Sequence, residues 1–198
     1  MILAKSAILE ALQSGDIVIN TVAEGVDVKN QISANSVDLS LGKNVLILDT
    51  GTKQWHEHDL KERPLELRPY MLVLGITNEW VYSNKYVPKL FDKSSCGRSF
   101  LTSINGGAGL ADLRFAGFLT LEIKADMPVT LTYGMLISQM VFIEAKGQGD
   151  YNDGGRYSNE FTGEHPKPEP NKGFKNVFDL NETPIVNSVF NVMFVKNK

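Results

Sequence analysis

Phe118-Leu119-Thr120-Leu121-Glu122-Ile123-Lys124 is the stretch that decides the fold. Its alternation puts Leu119, Leu121 and Ile123 on one face, and Phe118, Thr120, Glu122 and Lys124 on the other, which is the period of a strand. Short apolar runs of the same kind lie to either side. Ile17-Val18-Ile19, Val37-Asp38-Leu39-Ser40-Leu41, Val45-Leu46-Ile47-Leu48 and Met71-Leu72-Val73-Leu74-Gly75-Ile76 precede it, and 129–133 and 139–143 follow. Gly, Asn, Asp and Pro divide them. Many short strands with little helix predict a mostly-β sandwich or small barrel of jelly-roll-like topology. The spacing of Ile8, Leu9 and Leu12 predicts one short helix over 6–14, capped by Ser6 and ended by Gly15. A second helical piece is expected over 93–104, although Gly97 weakens it. There is no internal repeat.

At 198 residues the chain can bury one good-sized core, or two small ones at most. An apolar content of 42% and a charged content of 22% are those of an ordinary water-soluble protein. A net charge of −3 leaves no basic excess, which argues against general binding to nucleic acid or to an anionic membrane. A phosphate-bearing ligand must therefore be held by a few local cations. No run approaches the roughly 20 apolar residues of a membrane span, and Met1-Ile2-Leu3-Ala4-Lys5 does not start a signal peptide. Cys96 stands alone, so no intrachain disulfide can form and a cytoplasmic setting is expected. The Gly-, Asp-, Asn- and Pro-rich stretch 147–170 is expected to form a mobile loop or lid. Val177-Phe178 and 189–195 are apolar enough to dock as a further strand.

Three groups of residues could carry chemistry, and each has two readings. Glu122 is either a solvated residue on an outer face or a carboxylate enclosed by apolar neighbours, which would raise its pKa toward proton-transfer range. Ser94, Ser95 and Arg98 are either a helix cap with a surface cation or an anion grip, Ser94 and Arg98 being i, i+4 neighbours. Asp112, in Asp-Leu-Arg-Phe-Ala-Gly, is either an ordinary turn residue or a base that orients water or a sugar. Zinc deaminase chemistry needs H-x-E and P-C-x-x-C elements, which one cysteine cannot supply. His56 and His58 read as part of a polar loop without a third ligand nearby. Gly106-Gly107-Ala108-Gly109 lacks the P-loop Lys, and no G-x-S-x-G element is present.

Taken in order, these elements resemble the dCTP deaminase family, a branch of the trimeric dUTPase-like superfamily. Ser36-Val37-Asp38-Leu39-Ser40-Leu41-Gly42 is similar to the family's S-V-D-L-x-L-G strand, and Lys93-Ser94-Ser95-Cys96-Gly97-Arg98 to its R-S-S-x-x-R segment. Gly107-Ala108-Gly109-Leu110-Ala111-Asp112 resembles T-A-G-x-I-D, and Leu119-Thr120-Leu121-Glu122 resembles L-T-L-E with the ten-residue Asp-to-Glu spacing kept. Tyr133-Gly134-Met135-Leu136-Ile137-Ser138-Gln139 is similar to P-G-M-x-I-G-Q. Tyr151 and Arg156-Tyr157-Ser158-Asn159-Glu160 resemble the Y-N and K-Y-x-N-Q tail.

The resemblance covers about 1–160 and implies a dUTPase-like distorted β-barrel or jelly roll with a short N-terminal helix and one or two small helices. Residues 161–198 would be an extension docked on the same domain or on a neighbouring subunit. It implies Glu122 as the catalytic proton shuttle, with Ser94 and the Ala108 carbonyl positioning water and Arg98 supporting that site near phosphate. It implies Lys93, Ser95, Asp112, Gln139, Tyr151, Arg156 and Tyr157 as substrate-binding residues. Mg²⁺ would arrive on the triphosphate of a deoxynucleoside substrate, no zinc would be needed, and the active sites would lie between subunits of a homotrimer. The leading expectation is a dCTP deaminase that forms dUTP and ammonia. The alternatives are a bifunctional enzyme or dUTPase that gives dUMP and pyrophosphate, and a non-catalytic nucleotide-binding regulatory trimer. The chain departs from the family pattern at Lys93 in place of Arg, at Leu113-Arg114 in place of Pro-Gly, and within 99–107, where Asn105 and Gly107 replace a His and a Thr. The resemblance implies that these positions border the base and sugar pocket.

Overall fold

The computed structural model describes residues 1–104, 109–151 and 157–170. Chain order begins with α1 (Lys5–Ser14), β1 (Ile17–Thr21), a 3-10 turn (Val28–Gln31), β2 (Val37–Ser40) and β3 (Asn44–Asp49). It continues with β4 (Gln54–Asp59), β5 (Leu65–Leu67), β6 (Val73–Ser83) and β7 (Tyr86–Asp92). After α2 (Ser94–Arg98) come β8 (Leu101–Thr102), β9 (Ala116–Ala125), β10 (Val129–Leu131) and β11 (Leu136–Glu144). The long β6 is the spine. It pairs with β9 along one edge, and with β1 and β3 in series along the other. β4 extends the sheet beyond β3 and β8 extends it beyond β9. A three-stranded sheet, β2-β11-β7, and a two-stranded one, β10-β5, complete the fold, and all pairs are antiparallel. Val37, Leu39, Leu121, Ile123, Met140 and Phe142 are buried in one apolar core between them. The mostly-β dUTPase-like architecture with small helices is the one expected.

Strand β9 keeps its alternation, with Leu119, Leu121 and Ile123 buried and Thr120, Glu122 and Lys124 exposed. Phe118 breaks the pattern because Phe161 packs on it, ring centroids 6.2 Å apart. Three expectations need correction. Ser6 does not cap α1: Ala4 occupies that position without a side-chain bond, and Lys5 N–H donates to the Ala34 carbonyl instead. The helix expected over 93–104 stops at Arg98, where Phe100 takes a left-handed φ of 57° and the chain turns into β8. His56 and His58 lie on strand β4 rather than in a loop. That strand is an edge with polar residues on both faces, so no apolar alternation marks it.

The two larger sheets are joined at Thr77-Asn78-Glu79, where the β6–β9 register shifts between Ile76 and Trp80. Thr77 Oγ accepts from Leu119 N–H across this bulge. Asn78 Nδ2 donates to Ser40 Oγ and to the Leu41 carbonyl, both at 3.0 Å. Glu79 is completely buried (0% exposed). Its carboxylate accepts from Gln31 Nε2 at 2.7 Å, Ser40 N–H at 2.9 Å and Ser40 Oγ at 2.8 Å. Burial pushes its pKa up, and the donors from Gln31 and Ser40 pull against that. Both carboxylate oxygens act as acceptors, so an amide in the same place must turn an N–H₂ toward a donor. Glu79→Gln is therefore expected to cost about 1–3 kcal/mol in urea unfolding, the penalty for a buried donor left unmatched. An unchanged urea midpoint would remove Glu79 from this joint.

Candidate active site

Glu122 sits on β9 opposite Leu74 of β6. Its N–H leaves the ladder and donates to the Ser103 carbonyl at 3.0 Å. Ser103 is itself held by Asp92, whose Oδ1 accepts from Ser103 N–H at 2.6 Å and from Ser103 Oγ at 2.7 Å. The end of β7, the strand after α2 and the Glu122 backbone thus form one hydrogen-bonded unit. Sequence reading missed Asp92 and Ser103. Their only signal was a pair of polar residues flanking the Ser-Ser-x-x-Arg segment, which does not distinguish them from ordinary surface residues.

Glu122 lines a cavity of about 900 Å³. Thr120, Leu74, Ile76, Asp112, Tyr151 and Tyr157 also line it. Asp112 opens a four-residue turn closed by Phe115 N–H donating to its carbonyl at 3.0 Å, as the turn reading required. Leu110, next to Gly109, bridges to Lys89 of β7, and Leu90 N–H donates to the Gly109 carbonyl at 2.7 Å. A Cβ at Gly109 would lie 2.6 Å from the Leu90 carbonyl oxygen, so only glycine allows this approach beside the cavity. Arg114 has a left-handed φ of 66°, a conformation that costs a non-glycine residue about 1–2 kcal/mol. Its Nη1 meets Asp150 Oδ2 at 3.0 Å, with the Arg side chain half exposed. Such a pair returns at most about 1 kcal/mol, so the arginine does not make the turn more stable. A second cavity, of about 640 Å³, shares Leu110, Asp112, Tyr151 and Tyr157 with the first.

Residues 157–170 have no regular secondary structure and run as a strap across the chain's own barrel. Asn159 N–H donates to the Ala116 carbonyl at 2.7 Å, and Trp80 Nε1 donates to the Asn159 carbonyl at 2.8 Å. Farther on, Asn44 Nδ2 donates to the Pro166 carbonyl, Lys167 pairs with Glu57, and Pro168 is buried. His165 lines the cavity, packs edge-on against Tyr133, and takes Lys61 Nζ on its Nε2 at 3.1 Å. An ammonium only donates, so Nε2 accepts and the ring is neutral. Burial and then the charges of Lys61 and Lys43 hold its pKa below the ordinary value, with Asp59 and Glu24 opposing.

The sequence-derived site residues separate into two groups. Glu122, Asp112, Tyr151 and Tyr157 line one cavity. Lys93, Ser94, Ser95, Arg98 and Gln139 do not line it. Ser94, Ser95 and Arg98 are exposed on α2. Lys93 is ion-paired with Asp38, and Gln139 bridges Ser36 Oγ and the Asp92 carbonyl within the three-stranded sheet. Glu122 itself is exposed on the cavity wall and not enclosed by apolar side chains. Ala108, Arg156 and the segments at 177–178 and 189–195 lie outside the described residues. Among the described residues, no three His, Cys, Asp or Glu side chains converge to hold a metal ion. No helix among them is long and apolar enough to cross a membrane.

The antiparallel β architecture is the dUTPase-like one, and it carries an acidic cavity lined in part by Tyr151 and Tyr157. A solved 2′-deoxycytidine 5′-triphosphate deaminase from Agrobacterium tumefaciens shares this fold, with a TM-score of 0.59 and 22% identity. The match covers 73% of this chain and 48% of that one, so the chain spans about half its length. Residues 2–145 match the family model described as dCTP deaminase-like, and the chain belongs to that family. A relative from Clostridium botulinum (strain Eklund 17B / Type B), named as a dUMP-forming dCTP deaminase, is 34% identical over 165 residues, covering 80% of this chain and 91% of its own. A Haloarcula marismortui dCTP deaminase is 31% identical over 181 residues, covering 83% and 91%.

The neutral ring of His165 sets a pH dependence. A base whose pKa is lowered on docking contributes stability above its undocked value and loses it as pH falls. Strap docking should therefore weaken as pH falls below about 6.5. Hydrogen exchange of peptides from 157–170 is expected to be faster at acid pH after correction for intrinsic rates, and His165→Gln should flatten this dependence. Equal protection across that range would rule out His165 as a group that holds the strap.

Proposed function

We propose that this protein is an enzyme that deaminates dCTP hydrolytically without zinc, using Glu122 as the proton shuttle. The observation that carries this reading is the placement of Glu122 and Asp112 on one cavity of nucleotide size, which Tyr151 and Tyr157 also line. In the proposed sequence Glu122 takes a proton from water as the oxygen adds to the amino-bearing ring carbon. It delivers that proton to the pyrimidine ring, then moves a proton to the amino nitrogen as the carbon–nitrogen bond breaks and ammonia leaves. Asp112 faces the sugar side. Mg²⁺ enters with the triphosphate as part of the substrate.

Ser94 and Arg98 are exposed on α2 and stand outside the cavity of their own chain. This arrangement supports a homotrimer in which a neighbouring subunit presents them, Ser94 and Ala108 placing the water and Arg98 supporting it. Lys93 is already matched by Asp38, and a role in gripping phosphate would require it to leave that partner. A deoxynucleotide substrate and a lone cysteine suit a cytoplasmic enzyme.

A second reading continues the reaction to dUMP. Two observations favour it: Asp112 lies on the same cavity as Glu122, and several clostridial relatives are named as dUMP-forming. In that reading Asp112 orients a second water toward the phosphorus next to the sugar, and pyrophosphate leaves.

Incubation with dCTP and Mg²⁺, with ammonia measured and nucleotides separated, distinguishes the readings. Ammonia with dUTP supports deamination alone, and ammonia with dUMP and pyrophosphate supports the longer sequence. Tight nucleotide binding without any turnover would indicate a regulatory protein instead. Glu122→Gln is expected to lower ammonia release by at least about 100-fold while nucleotide binding persists. A fully active variant would take Glu122 out of the mechanism.

A further inference from the structure

We propose that Arg114 is a positioning residue that acts through Asp150 to fix Tyr151, and with it the wall shared by the two cavities. The proposal rests on the reading that the larger cavity holds the nucleotide. The turn at Asp112 has no need of a cation at this position. Its left-handed φ of 66° suits glycine, and an arginine there bears backbone strain. The distinctive contribution of the side chain is the contact of Nη1 with Asp150 Oδ2 at 3.0 Å.

That contact joins the turn after Asp112 to the segment that carries Tyr151, and both residues line the cavities. Asp150 immediately precedes Tyr151, whose N–H donates to the Leu113 carbonyl at 2.9 Å, one residue before Arg114. The Tyr151 ring meets Phe115 edge-on, centroids 5.3 Å apart at 85°, one residue after Arg114. The Tyr151 hydroxyl oxygen accepts from Tyr157 N–H at 3.0 Å, so its position is passed on to the start of the strap. Tyr151, Tyr157, Asp112 and Leu110 line both cavities. Residues 113–115 therefore grip 150–151 by an ion pair, a backbone bond and a ring contact in succession, and the ion pair is the part a glycine would forgo. The segment leading to this grip contains Gly147 and Gly149, which offer little resistance to motion of their own. Without the ion pair the wall must be ordered by the substrate on binding. The loss should fall on KM, because Arg114 touches no reacting atom.

The test compares Asp150→Asn, Arg114→Gly, Arg114→Lys and the Arg114→Gly/Asp150→Asn double variant. Asp150→Asn changes no backbone preference at the turn. It and Arg114→Gly are expected to raise KM for dCTP about threefold to fivefold, the range of a partly exposed ion pair, with kcat within about twofold of the parent. Arg114→Lys should stay near the parent, and the double variant should be no worse than either single one. Arg114→Gly should melt no lower than the parent, which separates positioning from support of the fold. Hydrogen exchange at the Tyr151 amide should be faster in Asp150→Asn with no substrate present. Unchanged exchange, unchanged KM or additive single effects would overturn the proposal. Faster exchange in a protein that does not turn over dCTP would sink the functional reading while leaving the positioning role of the Arg114–Asp150 pair standing.

Discussion

The rest of the structure depends on one buried carboxylate. Glu79 is fully enclosed, and its two oxygens gather Gln31 from the 3-10 turn and the backbone and hydroxyl of Ser40 from β2. A group of this kind is expensive to bury and tolerable only when every acceptor is matched. Satisfying it requires β6 to leave its register with β9 and lean toward the other sheet. That departure is the bulge at Thr77-Asn78-Glu79, and Thr77 returns the ladder to β9 through Leu119 N–H. Beyond the bulge the pairing resumes with Ile76 opposite Thr120 and Leu74 opposite Glu122. The constraint that joins the sheets therefore also sets which β9 residues face the cavity. A one-residue slip would turn Leu121 outward and Glu122 into the core.

A second chain of bonds ties this placement to α2. Asp92 ends β7 immediately before the Lys93-Ser94-Ser95 segment, and its carboxylate holds Ser103, whose carbonyl takes the Glu122 N–H. Gln139 supports the same corner from β11 by donating to the Asp92 carbonyl. The exposed α2 and the carboxylate in the cavity are thus tied through one joint, although the α2 residues do not line the cavity.

Much of this was legible in the sequence, for physical reasons that can be named. The alternation across 118–124 is seen directly in the burial of β9, because one face of that strand meets the core and the other meets solvent. The left-handed end of α1 was readable from Gly15, whose φ is 79°. Strand β4 was not readable, since an edge strand with His56, Glu57 and His58 exposed or half buried carries no apolar signature. The short length of α2 was hidden too, because it is set by the φ of Phe100 and by the grip of Asp92 on Ser103, both tertiary effects. Glu79 is the clearest omission. A glutamate within Ile76-Thr77-Asn78-Glu79-Trp80 reads as a surface residue, and only the arrival of Gln31 and Ser40 from elsewhere makes its burial possible.

The same distinction explains which parts of the candidate site can drift. The β6–β9 ladder that carries Glu122 is held by core packing and by the buried Glu79, so a change of register there disturbs the fold as well as the cavity. The segments that carry Asp112 and Tyr151 are held differently. Leu113-Arg114 forms its turn although the backbone strains against arginine, and the Asp150 contact and the Tyr151 bonds rest on the outside of the barrel. The strap, too, is fixed by side-chain contacts at the surface, Lys167 with Glu57 and His165 with Lys61. Interactions of that kind are each worth little to stability, so they can be exchanged without unfolding the barrel. Glu122 is thereby carried on the part of the structure that packing constrains most. The turn at Asp112 and the strap beside the cavity are held by contacts that constrain them least.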